Sequence, residues 1–206
     1  QKVLAELEGL LPKNIVNKQF VEWAKVNAAY GLKKVEYSEY VKALCKILEK
    51  TVKLDSLKSG GNIFLSNNEE IILYNISAKY RYNGDCENAL KYILPIYNRY
   101  KDYATEDAQR NIRNYELYMP YIASLFGSMG KYEKSSEISK SVIETQLKYG
   151  RIHMIHRNLS SMAWNTYEVD GDKKAYSDNL YQCMLWSQLR KDNYFENRYK
   201  CRISQL

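Results

Sequence analysis

The residues best suited to chemistry in this chain are amides, aromatics and guanidinium groups rather than acid–base pairs. Tyr74, Asn75, Arg81, Tyr121, Asn158 and Asn165 all fall on stretches with helical periodicity. An amide side chain both donates and accepts, so it can hold the backbone of an extended peptide without reading its sequence. A guanidinium such as Arg81 can grip a carboxylate with two parallel hydrogen bonds. The same amides, Asn75 and Asn165 above all, could equally bridge neighbouring helices. The two histidines, His153 and His156, stand three apart on one helical stretch between Arg151 and Arg157. That spacing can bring two imidazoles to one metal, but no third ligand stands near them in the sequence. An anion contact near a helix start or a solvated helix face accounts for the same four residues, so no metal is expected.

Catalytic signatures are missing. There is no GxSxG elbow, Walker loop, HExxH or glycine-rich dinucleotide turn, and Gly60-Gly61 lacks the Lys-Ser/Thr of a phosphate loop. No pair of carboxylates is singled out by spacing. The chain reads as a binding protein, not an enzyme, with no cofactor. Cys45, Cys86, Cys183 and Cys201 are widely separated and form no CxxC pair, which fits free thiols in a reducing cytoplasm. No apolar run reaches the ~18 residues of a membrane span, so no membrane partner is expected.

What must position these residues is a series of helical hairpins. A glycine sits in a short polar turn three times, at Gly84-Asp85, Gly130-Lys131-Tyr132 and Gly171-Asp172-Lys173. In the best copy Tyr80, Gly84 and Ala89 have the spacing of a tetratricopeptide-type hairpin. The glycines are 46 (130−84) and 41 (171−130) residues apart, longer than the ~34 of a regular unit, so helices or linkers must be longer. Five residues after each glycine stand Ala89, Ser135 and Tyr176. The tyrosine is the misfit, with Ala175 next to it as a substitute after a slight rotation.

The periodicity predicts helices over 17–30, 37–51, 69–82, 86–101, 108–129, 133–149, 152–169, 173–190 and 193–203, the last a cap for the stack. In the first of them Phe20, Trp23, Ala24 and Val26 face inward. An apolar run at 1–11, ended by Pro12, looks like the tail of a further helix. Residues 54–65 read as a loop around Ser59-Gly60-Gly61-Asn62, docked to the core by Ile63-Phe64-Leu65. Ser66 to Glu69 fits a capping box with Leu65 as staple, which starts a helix near Asn67. Pro95 and Pro120 fall inside helices and should bend them. The fold expected is all-α, a right-handed α-solenoid in a single domain over 1–206. Residues 1–53 form its irregular start and first hairpin, and 66–206 its repeats and C-terminal cap.

Composition agrees with a helical stack. Three prolines and nine glycines in 206 residues are too few turn formers for a many-stranded β fold. Twenty tyrosines against four phenylalanines place many rings at half-buried positions, filling the stack or lining a wet groove. The net charge of +7 is spread along the chain, and Arg190-Lys191 with Arg198, Lys200 and Arg202 comes nearest to a patch. Direct nucleic-acid binding by that surface is a third, weaker reading.

The stretch from Ser66 to Asp192 resembles the regulatory half of Firmicutes helix-turn-helix transcription regulators. The resemblance is carried by FLSNNEEIILYNISAKYRYNGD, LFGSMGKYEKS, LKYGR and SMAWNTYEVDGDKKA, with AAYGLKKVEYSEY fitting the preceding hairpin. It implies a cytoplasmic sensor and dimerisation module of the peptide-sensing Rgg/PlcR/PrgX-like type, a homodimer that binds a short signalling peptide in its groove. DNA would be reached only through a helix-turn-helix domain encoded before Gln1, not present in residues 1–206. With Gly84 as the turn, the groove positions of the first helix are Tyr74, Ala78 and Arg81, with Asn75 beside them. Gly130 places Leu117, Tyr121 and Ser124 likewise, and Gly171 places Asn158, Ser161 and Asn165. A freestanding scaffold that docks a protein segment, with no link to DNA, is the alternative.

Overall fold

The computed structural model describes residue 6 and residues 14–58, 64–101 and 108–206, and all regular structure among them is helical. The helices are α1 (Ile15–Gly31), α2 (Tyr37–Leu48), α3 (Leu54–Lys58), α4 (Asn67–Tyr82), α5 (Cys86–Tyr100), α6 (Ala108–Ser128), α7 (Tyr132–Lys148), α8 (Ile155–Asp170), α9 (Lys173–Leu189) and α10 (Asn193–Ser204). A 3₁₀ turn at Ile152–Met154 leads into α8. The chain forms two compact units, residues 1–99 and 100–206.

Each hairpin turn is built from local chemistry. At the α4–α5 turn Gly84 is left-handed, with φ +81°, and the Asp85 amide reaches back to the Tyr80 carbonyl at 3.0 Å. This i to i−5 bond satisfies a carbonyl that the last helical turn leaves open. Asp85 then starts α5, accepting from the Asn88 backbone and side chain at 3.0 and 2.7 Å. Those bonds hold its carboxyl below the usual range, the Asn88 side chain first. A left-handed residue followed by an aspartate cap recurs at Gly171-Asp172, where Asp172 accepts from Ala175. It recurs again at Lys191-Asp192, where Asp192 accepts from Phe195. A fourth left-handed glycine, Gly150, lies between α7 and α8 and was not among the three turns read from sequence.

Helix boundaries match the periodic pattern to within three residues, and α4 starts at Asn67 behind Ser66 with both halves of the capping box formed. Three details differ. The expected loop at 54–65 contains the short helix α3, because Leu57 is carried into the core. Leu65 docks as expected, but Phe64 is fully exposed, and Ile63 with the Ser59–Asn62 turn lies outside the described residues, as do 1–5 and 7–13 of the first apolar run. In α1 the deepest side chains are Gln19 and Val21, while Phe20, Trp23, Ala24 and Val26 are half-buried. Gln19 goes inside because its amide donates to the Ile47 carbonyl at 3.2 Å and to Thr51 Oγ1 at 2.8 Å across the α1–α2 pair.

In the first unit α4 buries Ile72, Leu73 and Ile76, and α5 answers with Ala89, Ile93 and Ile96. Glu70, wholly buried, is met by Arg99 from α5 at 2.8 Å, and the same guanidinium donates to the Leu65 carbonyl at 2.6 Å. In the second unit Ile122, Leu125 and Val142 are wholly buried, and Leu180 packs in a cluster with Ala163, Tyr176, Cys183, Met184 and Tyr199. The positions seven residues before the turn glycine and five after it carry a different pair in each hairpin. In the first hairpin that pair is Ser77 and Ala89, whose small size lets the Ser77 hydroxyl donate to the Ala89 carbonyl at 2.7 Å. Ala123 and Ser135 are the pair in the second, both buried. The third carries Trp164 and Tyr176, an edge-to-face pair at 5.7 Å with Tyr167 stacked on Tyr176 at 5.0 Å. Ala175 does not substitute for Tyr176: it is exposed and the tyrosine is buried.

Two predictions follow from this unit-by-unit packing. Lys191 holds a left-handed φ of +57°, a conformation that costs an L side chain about 1 kcal/mol relative to glycine. Lys191→Gly should therefore stabilise the protein by about 0.5–1 kcal/mol in urea unfolding, despite the added freedom of the unfolded chain. Arg99→Met takes the cation away from buried Glu70 and should cost about 3 kcal/mol. The same assay should show much of that loss recovered by Glu70→Gln in the Arg99→Met background.

Candidate ligand-binding site

The residues expected to face a ligand divide by environment. Tyr74, Ala78 and Arg81 recur along one face of α4 at i, i+4 and i+7, with Asn75 beside them, and all four are half-buried. They flank the apolar stripe of Ile72, Leu73 and Ile76 rather than belonging to it, so water reaches them. On α6 Leu117 is exposed, and Tyr121 and Ser124, one and two turns on, are half-buried. Ser161 on α8 is half-buried as well.

Asn158 and Asn165 have different surroundings. Both are buried, at 1 % and 3 % exposure, and both are turned to α7. The Asn158 amide donates to Gln146 Oε1 at 3.4 Å, and the Gln146 amide donates to Glu116 Oε1 at the same distance. Arg151 completes the chain, its Nε 2.7 Å from the other Glu116 oxygen. One line of polar side chains thus joins α6, α7 and α8. About two turns further along α8, Asn165 donates to Ser135 and Ser136 at 2.9 and 3.0 Å. Its carbonyl oxygen lies over Gly127 of α6, where a β-carbon would come within 3.0 Å of it. Asn165 also edges a shallow cleft of about 220 Å³ between α7 and α8, lined by Tyr132, Glu133, Ser136, Thr166, Val169 and Asp170.

Sequence reasoning did not pick out Glu116, Gln146 and Arg151. The signal was present for Gln146, a polar residue at the helical spacing of Ser135, Ile138, Ser139 and Val142, all of them buried. Glu116 and Arg151 are far apart in sequence, and only the packing of α6 against the end of α7 brings them together.

Of the two histidines, His156 is wholly buried, its Nδ1 2.9 Å from the Tyr199 hydroxyl, which also donates to the His156 carbonyl at 3.3 Å. The ring meets Phe195 edge-on at 5.2 Å, so His156 fastens α10 to α8. Burial pushes the Tyr199 hydroxyl up to about 12, which keeps it a neutral donor. The His153 side chain lies outside the described residues. Among those described, no three His, Cys, Asp or Glu side chains gather as a metal site. Cys45, Cys86, Cys183 and Cys201 are free thiols, and burial pushes Cys183 up to about 11, away from the reactive thiolate. No described helix is long and apolar enough to cross a membrane.

Gly127→Ala should drive a methyl into the Asn165 carbonyl and the Ser135 hydroxyl and cost about 1–3 kcal/mol by thermal or urea unfolding. Asn165→Ala added to it should relieve the clash, so the double variant should lose less than the sum of the two single changes.

Comparison with known proteins places the fold. No family model matches the sequence, and no curated protein matches it. Among solved structures, PlcR of Bacillus thuringiensis in its apo form is similar over 98 % of this chain and 71 % of that one, with TM-score 0.72 and 14 % identity. A Podosopora anserina protein with nearly identical TPR-like repeats, named for kinesin light chain, matches over 93 % of this chain and 84 % of its own, with TM-score 0.61 and 13 % identity. At such low identity the likeness is one of fold: this chain is an all-α solenoid of tetratricopeptide-like hairpins.

Proposed function

We propose that this chain is the ligand-sensing and dimerisation domain of a bacterial transcription regulator, cytoplasmic, a single functional module over 1–206. A helix-turn-helix domain encoded before Gln1 would make the contact with DNA. The observation that supports this most is the extent of the likeness to PlcR, 98 % of the chain. It takes in the irregular first hairpin and the terminal helix as well as the repeats.

The ligand proposed is a short peptide. In the first unit Tyr74, Asn75 and Arg81 combine a ring, an amide and a guanidinium on one half-buried helix face. These groups suit an apolar side chain, a peptide backbone and a carboxylate respectively. Tyr121, on α6 of the second unit, is a candidate ligand contact of that unit by itself. Asn158 and Asn165 serve this function by holding α8 against α7, so that substituting them disturbs binding through the position of the helix. The likeness to the TPR-like repeat protein favours the second reading, a freestanding scaffold that docks a protein segment.

Thermal unfolding with synthetic peptide pools separates these. A cognate peptide at about a hundred times its Kd adds about 2.7 kcal/mol to the folded state, a rise of roughly 5–10 °C in melting temperature for a chain of this size. Arg81→Ala should abolish most of that rise, measured against the variant's own ligand-free melting temperature. Pools that produce no rise, together with an upstream sequence lacking any helix-turn-helix, would reject the sensing domain and leave the scaffold.

A further inference from the structure

The one Asn-Gly step of the chain, Asn83-Gly84, stands in the reversal between α4 and α5. Asparagine is thermolabile because its side-chain carbonyl carbon is an electrophile that the next backbone nitrogen can reach by closing a small ring. A glycine on that nitrogen leaves the approach open, since it carries no β-carbon. Asn83 and Gly84 are both exposed, and no described atom lies within 4 Å of the place a Gly84 β-carbon would take. The parts of a ring closure thus stand together where water reaches them.

The folded turn holds those parts out of line. Asn83 follows the last residue of α4 with φ −88° and ψ 11°. The Gly84 amide donates to the Arg81 carbonyl at 2.9 Å, and the Asn83 amide is shared between Lys79 and Tyr80 at 3.2 and 3.1 Å. Burial raises the Tyr37 hydroxyl, and a hydrogen bond from the Asn83 side chain opposes that shift, so this side chain also reaches the start of α2. Attack requires the Gly84 nitrogen to leave Arg81, ψ to turn away from 11° and the amide to leave Tyr37, because ring closure needs the reacting atoms aligned at about 3–3.5 Å. These are few bonds at a helix end, where folds open most readily.

Asp170-Gly171 offers a similar backbone at the α8–α9 reversal, with two differences. Asp170 is still inside α8, with the Gly171 amide held by the Tyr167 carbonyl at 2.8 Å. Its ionised carboxylate must also take up a proton before water can leave. Asn83 is the more reactive of the two.

We propose that Asn83 is a site of spontaneous deamidation, entered each time the α4–α5 turn opens. The Gly84 nitrogen bonds to Asn83 Cγ, the side-chain amide nitrogen takes up the proton and leaves as ammonia, and a succinimide remains. Water then adds to one ring carbonyl and breaks its bond to the Gly84 nitrogen. Opening at Cγ gives aspartate. Opening at the main-chain carbonyl gives isoaspartate, whose backbone is longer by one methylene. The first product places an anion at the negative end of α4. The second lengthens the chain where the Gly84 and Asp85 amides reach back. The reaction runs one way, so the fraction converted counts the time the turn has stood open.

Peptide mapping by mass spectrometry of the full chain, held at mildly alkaline pH with and without denaturing urea, tests this. Asn83 should convert ahead of every other asparagine in the native protein, with isoaspartate among the products by isoaspartyl methyltransferase labelling. The native rate should be about ten- to a hundredfold below the rate in urea, since only the turn has to open. Tyr37→Phe, which removes the partner of the Asn83 side chain, should speed the native reaction roughly two- to tenfold and leave the rate in urea unchanged. An Asn83 still intact in the native protein when the urea sample has converted fully would overturn the proposal. So would a native rate equal to that in urea, another asparagine converting first, or a native rate that Tyr37→Phe does not change. The melting temperature of that variant verifies that it is folded, and the comparison with urea is made on the unaltered protein.

Discussion

A polar side chain withdrawn from water has to find a partner inside the protein, and this requirement fixes how the helices meet. Leaving a buried amide or carboxylate unsatisfied costs about 1–3 kcal/mol, more for a charge. Gln19, Glu70, Glu116, Gln146, Asn158 and Asn165 are all buried, and each makes a hydrogen bond or ion pair to another helix or the segment beside it. An apolar interface can slide or rotate with small loss, because dispersion has no direction. The line from Arg151 through Glu116 and Gln146 to Asn158 cannot. A one-residue slip of α8 along α7 would break it and the Asn165 bonds together. In the second unit, apolar burial supplies cohesion and the polar line supplies register.

The second constraint is distance. Helices whose side chains are small where they cross can bring their backbones close, as Ser77 and Ala89 do well enough for a hydroxyl to reach a carbonyl. At the equivalent place in the third hairpin Tyr176 is buried, with Trp164 edge-on to it and Tyr167 stacked on it. Much of the unusual tyrosine content is spent in this way. Tyr40, Tyr118, Tyr176 and Tyr199 are core residues, and Tyr30 with Tyr40 receives the Lys79 ammonium at 4.3 and 5.6 Å. Rings of this kind fill gaps between long, irregular helices, and the Tyr40 and Tyr199 hydroxyls still find partners in Asn27 and His156.

The fold was legible because helix starts and turns are local. Ser66 and Glu69 announce α4 within four residues, and glycine followed by aspartate announces a reversal whatever surrounds it. Lys33 and Lys191 show where that legibility ends. They hold the same left-handed conformation with no glycine to mark it. The inward positions were legible on α2, where Tyr40, Val41, Leu44, Ile47 and Leu48 are all buried as their spacing implies. They were not on α1, where a glutamine goes deepest because its partners lie some thirty residues away on the next helix and its connection. The candidate site was readable only in part for the same reason. Counting back from a turn glycine gives a helix face in the ideal repeat, but Leu117 and Asn158, equivalent by that count, are exposed and buried respectively. The neighbours that decide between those states are set by tertiary packing, which no local pattern encodes.

The aromatic crossing of the third hairpin has an optical consequence. Trp164 lies within 5.7 Å of both Tyr167 and Tyr176, close enough for the tyrosines to pass their excitation to the indole. The hairpin is thereby its own emitter. Any event that separates α8 from α9 takes Tyr176 away from the indole and dims its share of the transferred signal, while Tyr167, on the same helix as Trp164, stays beside it.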